Sequence, residues 1–99
     1  MVLDENIIGF YAFNMTQEIP ELEYFYLKPE YIGMGYGRKL WDEAIEFCKN
    51  NKIKTFVFVA GSEVKKYYLK MGAEVIKTLP SRLDAKRKIY KFEMKIKVD

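Results

Sequence analysis

Apolar and polar residues along this chain fall into short alternating runs interrupted by two stretches of helical spacing. Asp4-Glu5-Asn6 is a turn signal, and Ile7 to Phe13, with an interior Gly9, reads as a strand. Residues 2–13 thus hold the end of one strand and all of the next. After a polar connection ending in Pro20, Glu21 to Leu27 predicts a further strand. Strict alternation puts Leu22, Tyr24 and Tyr26 on one face and Glu23, Phe25 and Leu27 on the other. Leu40, Ala44 and Cys48, with Trp41 and Ile45 beside them, form the inward stripe of a helix over Leu40 to Lys49, closed by Asn50-Asn51.

The near-continuous apolar run Phe56 to Ala60 suits an interior strand covered on both faces. Strand, helix and buried strand make a crossover unit, so the strands at Glu21–Leu27 and Phe56–Ala60 are expected to be parallel. Ser62 is the expected N-cap of a shorter helix whose apolar stripe is Val64, Tyr67, Tyr68 and Met71, and Gly72 is its expected stop. Residues 73–79 suggest a strand and residues 80–87 a basic loop. Residues 89–96 alternate, with Tyr90, Phe92, Met94 and Ile96 facing one way.

Between the strand at Glu21–Leu27 and the first helix lie Gly33, Gly35 and Gly37. Without Cβ atoms the backbone can curl there and converge several N–H groups on one point, and a helix start adds unpaired donors and roughly half a positive charge. The result is a cradle for an anion, best suited to a phosphate or diphosphate. A tight turn with no ligand is the plain alternative. A Walker A loop needs Gly-Lys-Ser/Thr, whereas Gly37 is followed by Arg38 and Lys39. A dinucleotide fingerprint needs an acidic residue at the end of the next strand, where Phe58-Val59-Ala60-Gly61 has none.

With 99 residues the chain makes one domain, and a hydrophobic fraction of 49% is enough for a core. There is no His and a single cysteine, Cys48, placed on the helix's inward stripe. That argues against a disulfide framework, a metal site and a Ser-His or Cys-His nucleophile. Without a long apolar run or leader pattern, the chain reads as soluble, intracellular and cytoplasmic. Its net charge of +3 is unevenly spread: residues 1–46 hold 3 basic and 9 acidic side chains, and residues 47–99 hold 14 and 5. An acidic half could receive a cation and a basic half a polyanion, or both could be ordinary solvated faces.

The order of elements, together with Pro29-Glu30-Tyr31-Ile32-Gly33-Met34-Gly35-Tyr36-Gly37 and Tyr67-Tyr68-Leu69-Lys70-Met71-Gly72, resembles the GNAT superfamily of acetyl-CoA-dependent N-acetyltransferases. The resemblance covers nearly the whole chain and implies an α/β (α+β) fold: a mixed, mostly antiparallel sheet with a central parallel βαβ pair and two helices. It implies that the amides of Gly33, Met34, Gly35, Tyr36, Gly37 and Arg38, with Ile32 at the mouth, hold the CoA pyrophosphate. The strand edge at Phe25, Tyr26 and Leu27 would pair with the pantetheine arm, and an N–H near Leu27 would stabilise the oxyanion. Tyr68 matches the general acid, and Glu23 an acidic position used as a base directly or through water.

Three departures accompany the match. Ile32 replaces the family's usual Gln or Arg, Gly61 stands about where an asparagine is common, and the strand and helices that usually precede this region are absent from the sequence. The acceptor site would then be open, completed by a second subunit in a homodimer, or missing. The first reading is transfer of an acetyl group from acetyl-CoA to a small or protein amine, with no metal and no membrane. The second is a CoA-binding module with little catalysis. The third is a basic nucleic-acid or protein interaction domain using Lys77, Arg82, Lys86, Arg87, Lys88 and Lys91, with nucleic acid ranked last among partners.

Overall fold

Two residues with positive φ, Asp4 at 49° and Glu5 at 66°, turn the chain between β1 (Val2–Leu3) and β2 (Asn6–Ile7). Positive φ at both central positions is what a tight two-residue hairpin demands. In this computed structural model, which describes residues 1–80 and 87–97, the chain continues through β3 (Gly9–Asn14) and β4 (Glu21–Leu27) to α1 (Tyr36–Asn50). Then follow β5 (Thr55–Gly61), α2 (Lys65–Lys70), β6 (Glu74–Pro80) and β7 (Lys88–Lys95). The five strands β3 to β7 make one sheet in the order β3-β4-β5-β7-β6. β4 and β5 are parallel and the other neighbours antiparallel. The mixed sheet with a central parallel pair is therefore as the sequence implied.

The core forms where α1 lies on the sheet. Leu40, Trp41, Ala44 and Cys48 are its buried residues, the stripe that helical spacing predicted. The Trp41 ring meets Phe25 at 5.6 Å, Phe56 at 5.8 Å and Phe58 at 5.9 Å between centroids. Side chains of this size, fully buried, stabilise by about 1.5–3 kcal/mol each.

Both helices end in the same device. In α2 the Ala73 N–H donates to the Tyr68 carbonyl and the Gly72 N–H to the Leu69 carbonyl, each at 3.1 Å, with Gly72 at φ 102°. This is a Schellman ending with glycine where the sequence placed it. In α1 the Ile53 N–H donates to the Cys48 carbonyl at 2.8 Å and the Lys52 N–H to Lys49 at 3.3 Å, with Lys52 taking the left-handed position at φ 57°.

Two expectations fail, each for a local reason. Strict alternation in β4 is broken because Ala12 pairs with Tyr24 while the next residue, Phe13, pairs with Leu22. Glu23 is thus an extra residue, a β-bulge. Leu22 consequently joins Phe25 in the core cluster, while Tyr24 and Tyr26 are exposed. Ser62 does not cap α2 through its side chain; it opens a 3₁₀ turn, Ser62–Val64, that feeds into α2. The Glu63 carboxylate folds back there, its pKa lowered by its own backbone N–H and by Arg87.

Candidate functional site

β4 and β5 touch at one register pair only, Glu21 with Val57, where the Val57 N–H donates to the Pro20 carbonyl at 3.1 Å. Beyond it the strands part. β5 keeps its full ladder to β7 from Thr55 to Gly61, and β4 keeps its ladder to β3 up to Leu27. The sheet is split into a V, and the inner edge of β4 from Phe25 to Leu27 has no strand beside it among the described residues.

The direction of the free amides follows from one bond. The Lys28 N–H donates to the Ile8 carbonyl at 2.7 Å, on the β3 side. Successive N–H groups of an extended strand point to opposite edges, so those of Leu27 and Phe25 point into the V.

At the mouth of the V lies the glycine turn. Gly33 and Gly35 have φ of 85° and 87°, the left-handed region that glycine occupies without penalty. The Tyr31 and Ile32 amides are used in the 3₁₀ turn Pro29–Tyr31, and the Lys39 amide reaches the Gly35 carbonyl. From Gly33 through Arg38, no backbone acceptor within the protein meets an N–H among the described residues. The helix's N-cap is Gly35, which has no side chain to offer. The donors at this bend are therefore uncapped, in the arrangement that favours an anion.

Two cavities meet in the V. The larger, about 530 Å³, is bordered by Phe25, Tyr26 and Leu27 of β4, by Ile32, Gly33, Gly35, Gly37 and Arg38 at the turn, and by Val64, Tyr67 and Tyr68 opposite. The smaller, about 280 Å³, includes Glu23, Phe58 and Val59. Phe25, Tyr26 and Tyr68 border both. The volume of the larger lies within the range of small-molecule sites, roughly 300–1,000 Å³.

Most of the residues singled out from the sequence are brought together here. Met34 and Tyr36 do not border either cavity; Met34 is exposed, and the Tyr36 ring packs on Tyr31 at 5.7 Å, so these two could offer only backbone. Glu23 sits in the smaller cavity at the solvent side of the bulge, its Oε1 accepting from Asn14 Nδ2 at 3.1 Å. Tyr68 is held in an aromatic cluster, 4.7 Å from Phe58 and 5.6 Å from Phe92. Burial, with a smaller push from Tyr67, raises its phenol above the ordinary 10.0. At neutral pH Tyr68 thus holds a proton that it can give to a strong base.

Val64, Tyr67, Phe58 and Val59 border the cavities without having been singled out. Helical spacing assigned Val64 and Tyr67 to the core stripe, but the close of α2 turns Tyr68 and Met71 inward and leaves Val64 and Tyr67 partly exposed toward the V. The signal available in advance was the doubled tyrosine, of which only one could take the inward position. Cys48 is fully buried and its thiol is pushed up to about 11 by that burial, which makes it inert at neutral pH. No helix among the described residues is long and apolar enough to cross a membrane. Of the basic C-terminal residues, Arg82 and Lys86 lie outside the described residues; Arg87 is paired with Glu63 at 2.5 Å.

The separating strand pair leaves an open sheet edge beside a turn whose amides are uncapped. The Acetyltransferase (GNAT) family model matches residues 1–73, and the chain belongs to that family. Among solved structures, the PaiA N-acetyltransferase from Thermoplasma acidophilum in complex with coenzyme A is 28% identical, with a TM-score of 0.77 over 95% of this chain and 57% of that one. The fold is also that of an aminoglycoside 6′-N-acetyltransferase complexed with coenzyme A, at 12% identity and TM-score 0.88 over 100% of this chain and 72% of that one. The ribosomal-protein-S18-alanine N-acetyltransferase from Escherichia coli gives 14% identity and TM-score 0.81 over 99% and 67%. The chain spans 57% to 72% of the length of these three. No curated protein sequence matches it.

Proposed function

We propose that this protein transfers an acetyl group from acetyl-CoA to a primary amine, by direct attack of the amine within a ternary complex. The observation that carries the reading is the V between β4 and β5, with the free amides of Phe25 and Leu27 on one arm and the uncapped amides from Gly33 through Arg38 at its mouth. The residues present fit the donor: a diphosphate satisfies the turn's N–H groups, and an extended amide-bearing arm completes the β4 edge as an added strand.

In this reading the Leu27 N–H faces the thioester carbonyl and stabilises the charge that develops on its oxygen, a contribution of about 3–4 kcal/mol for one well-placed donor. The amine nitrogen forms a bond to the carbonyl carbon, the carbon–sulfur bond breaks, Tyr68 gives its proton to the departing thiolate, and the proton that the nitrogen sheds as it becomes an amide restores the phenol through water. Before attack the ammonium must lose a proton. Glu23 is exposed and its carboxylate is shared with Asn14, so it is suited to receive that proton through water rather than by direct contact. No step requires Cys48. A homodimer remains our proposal for how an acceptor is enclosed, and acetyl-CoA as donor makes the cytoplasm the proposed location.

Thermal unfolding tests the donor site: acetyl-CoA at 100 times its Kd adds about 2.7 kcal/mol of stability, and no shift would sink the reading. Thiol release from acetyl-CoA across an amine panel tests transfer. The exposure of Glu23 favours one second reading, a CoA-binding module with little catalysis, which would show the thermal shift without thiol release.

A further inference from the structure

We infer that the Tyr67 hydroxyl is a ligand-binding group, donating a hydrogen bond to the diphosphate of the bound donor. This rests on the proposed function above and adds to it a side-chain donor at a position to which the resemblance assigned no role.

The two adjacent tyrosines divide between the cavities. Tyr68 borders both, so it stands at their junction, where the acyl group must pass from donor to acceptor. Tyr67 borders only the larger one, away from Glu23. Its hydroxyl lies directly over Gly37, close enough that a Cβ built on that glycine would sit 2.5 Å from the phenolic oxygen. Gly37 is in the first turn of α1, among the uncapped amides. The hydroxyl is therefore sited where an anion drawn to those amides would have its oxygens.

Electrostatics agrees with the position: burial raises the Tyr67 phenol while the charge of Arg38 pulls it down, so the group lies in the positive field of the turn. The ring is oriented by an edge-to-face contact with Tyr68 at 5.3 Å. Other side-chain donors at this mouth are scarce. Ile32 is apolar, and the Arg38 guanidinium is shared between Asp42 at 3.4 Å and the Met71 sulfur at 3.2 Å. Gly37 is then a glycine for a stated reason: any side chain would displace the hydroxyl.

The test uses Tyr67→Phe with three probes in calorimetric titration: CoA, ADP, which carries the diphosphate without the arm, and pantetheine, which carries the arm without the diphosphate. A hydrogen bond to a charged group is worth roughly a tenfold change or more in affinity. The expected result is a loss of about tenfold for CoA and ADP and none for pantetheine. Undiminished CoA and ADP affinity, or an equal loss for pantetheine, would overturn the assignment. If the unsubstituted protein binds no CoA, it is the donor-site reading that fails. Gly37→Ala supplies an independent variant: its effect on ADP affinity should shrink in the Tyr67→Phe background, and strictly additive effects would also overturn the proposal.

Discussion

The two ends of the V are built from the same pair of strands and are opposite in character. At the closed end Phe13, Phe47 and Phe56 interlock, Phe13 stacking on Phe47 at 5.4 Å and meeting Phe56 edge-on at 5.1 Å, directly beneath the single β4–β5 register pair. At the open end Tyr26, Ile32 and Tyr67 are partly exposed and backbone donors go unpaired. Aromatic packing is concentrated at one end, and the unsatisfied amides lie at the other. Close packing and unpaired backbone donors are thus segregated along one strand.

The strongest test of that separation is Phe56→Ala. Phe56 is fully buried, and truncating a core phenylalanine costs about 3–5 kcal/mol, a large share of the roughly 5–15 kcal/mol that holds a domain together. Urea unfolding should show that loss, whereas Tyr26→Ala, at an exposed position of the open end, should cost less than about 1 kcal/mol. Equal losses would mean that the two ends are not energetically distinct.

Tyr68→Phe probes the junction. The ring packing with Phe58 and Phe92 survives and only the hydroxyl goes, so stability and CoA affinity should hardly move while kcat falls about 100-fold or more. The sign of the pH effect follows from the direction of the shift. A phenol raised above 10.0 stays protonated through neutral pH and loses its proton only above that value, so the acid is fully available at pH 7 and activity declines on the far alkaline side. The pH–rate profile of the variant should lack that alkaline limb. A matching loss of CoA affinity would instead make Tyr68 a packing residue.

Much of this arrangement was legible in the chain. Helical spacing identified the buried face of α1, Gly72 marked the end of α2, and the turn glycines marked the bend before α1, because each depends on short-range chemistry that the sequence states directly. The bulge at Glu23 was not legible: an extra residue in a strand has no mark of its own, and alternation counted through it puts Leu22 on the wrong face. Nor was the parting of β4 from β5, since a crossover unit implies that two strands are parallel neighbours and not how far they stay together. Tyr67 was misplaced because α2 is only six residues long, too short for periodicity to say which residues face inward.

Gly35→Ala examines the cradle without touching the core. The added Cβ meets nothing within 4 Å, so any effect comes from the backbone held at φ 87°. An L-residue there costs about 1–2 kcal/mol, and relaxing the turn to avoid it would turn amides away from the ligand. Lower stability by about 1 kcal/mol with several-fold weaker CoA binding is expected. Unchanged binding would show that the amides beyond Gly35 suffice.

The smallest effect is expected farthest from the V. Lys52 closes α1 with a left-handed φ of 57°, the position Gly72 fills at the end of α2. The two Schellman endings thus differ in having the right residue in one and a strained one in the other. Lys52→Gly removes that strain but also gives the unfolded chain more freedom, and the two contributions oppose each other. The net gain should be about 0.5 kcal/mol, seen as a rise in Tm of roughly 2–4 °C for a domain of this size. CoA affinity should not change, since residue 52 borders neither cavity. A drop in Tm would show that the Lys52 side chain contributes more than its backbone costs, and a change in affinity would show that the end of α1 communicates with its beginning.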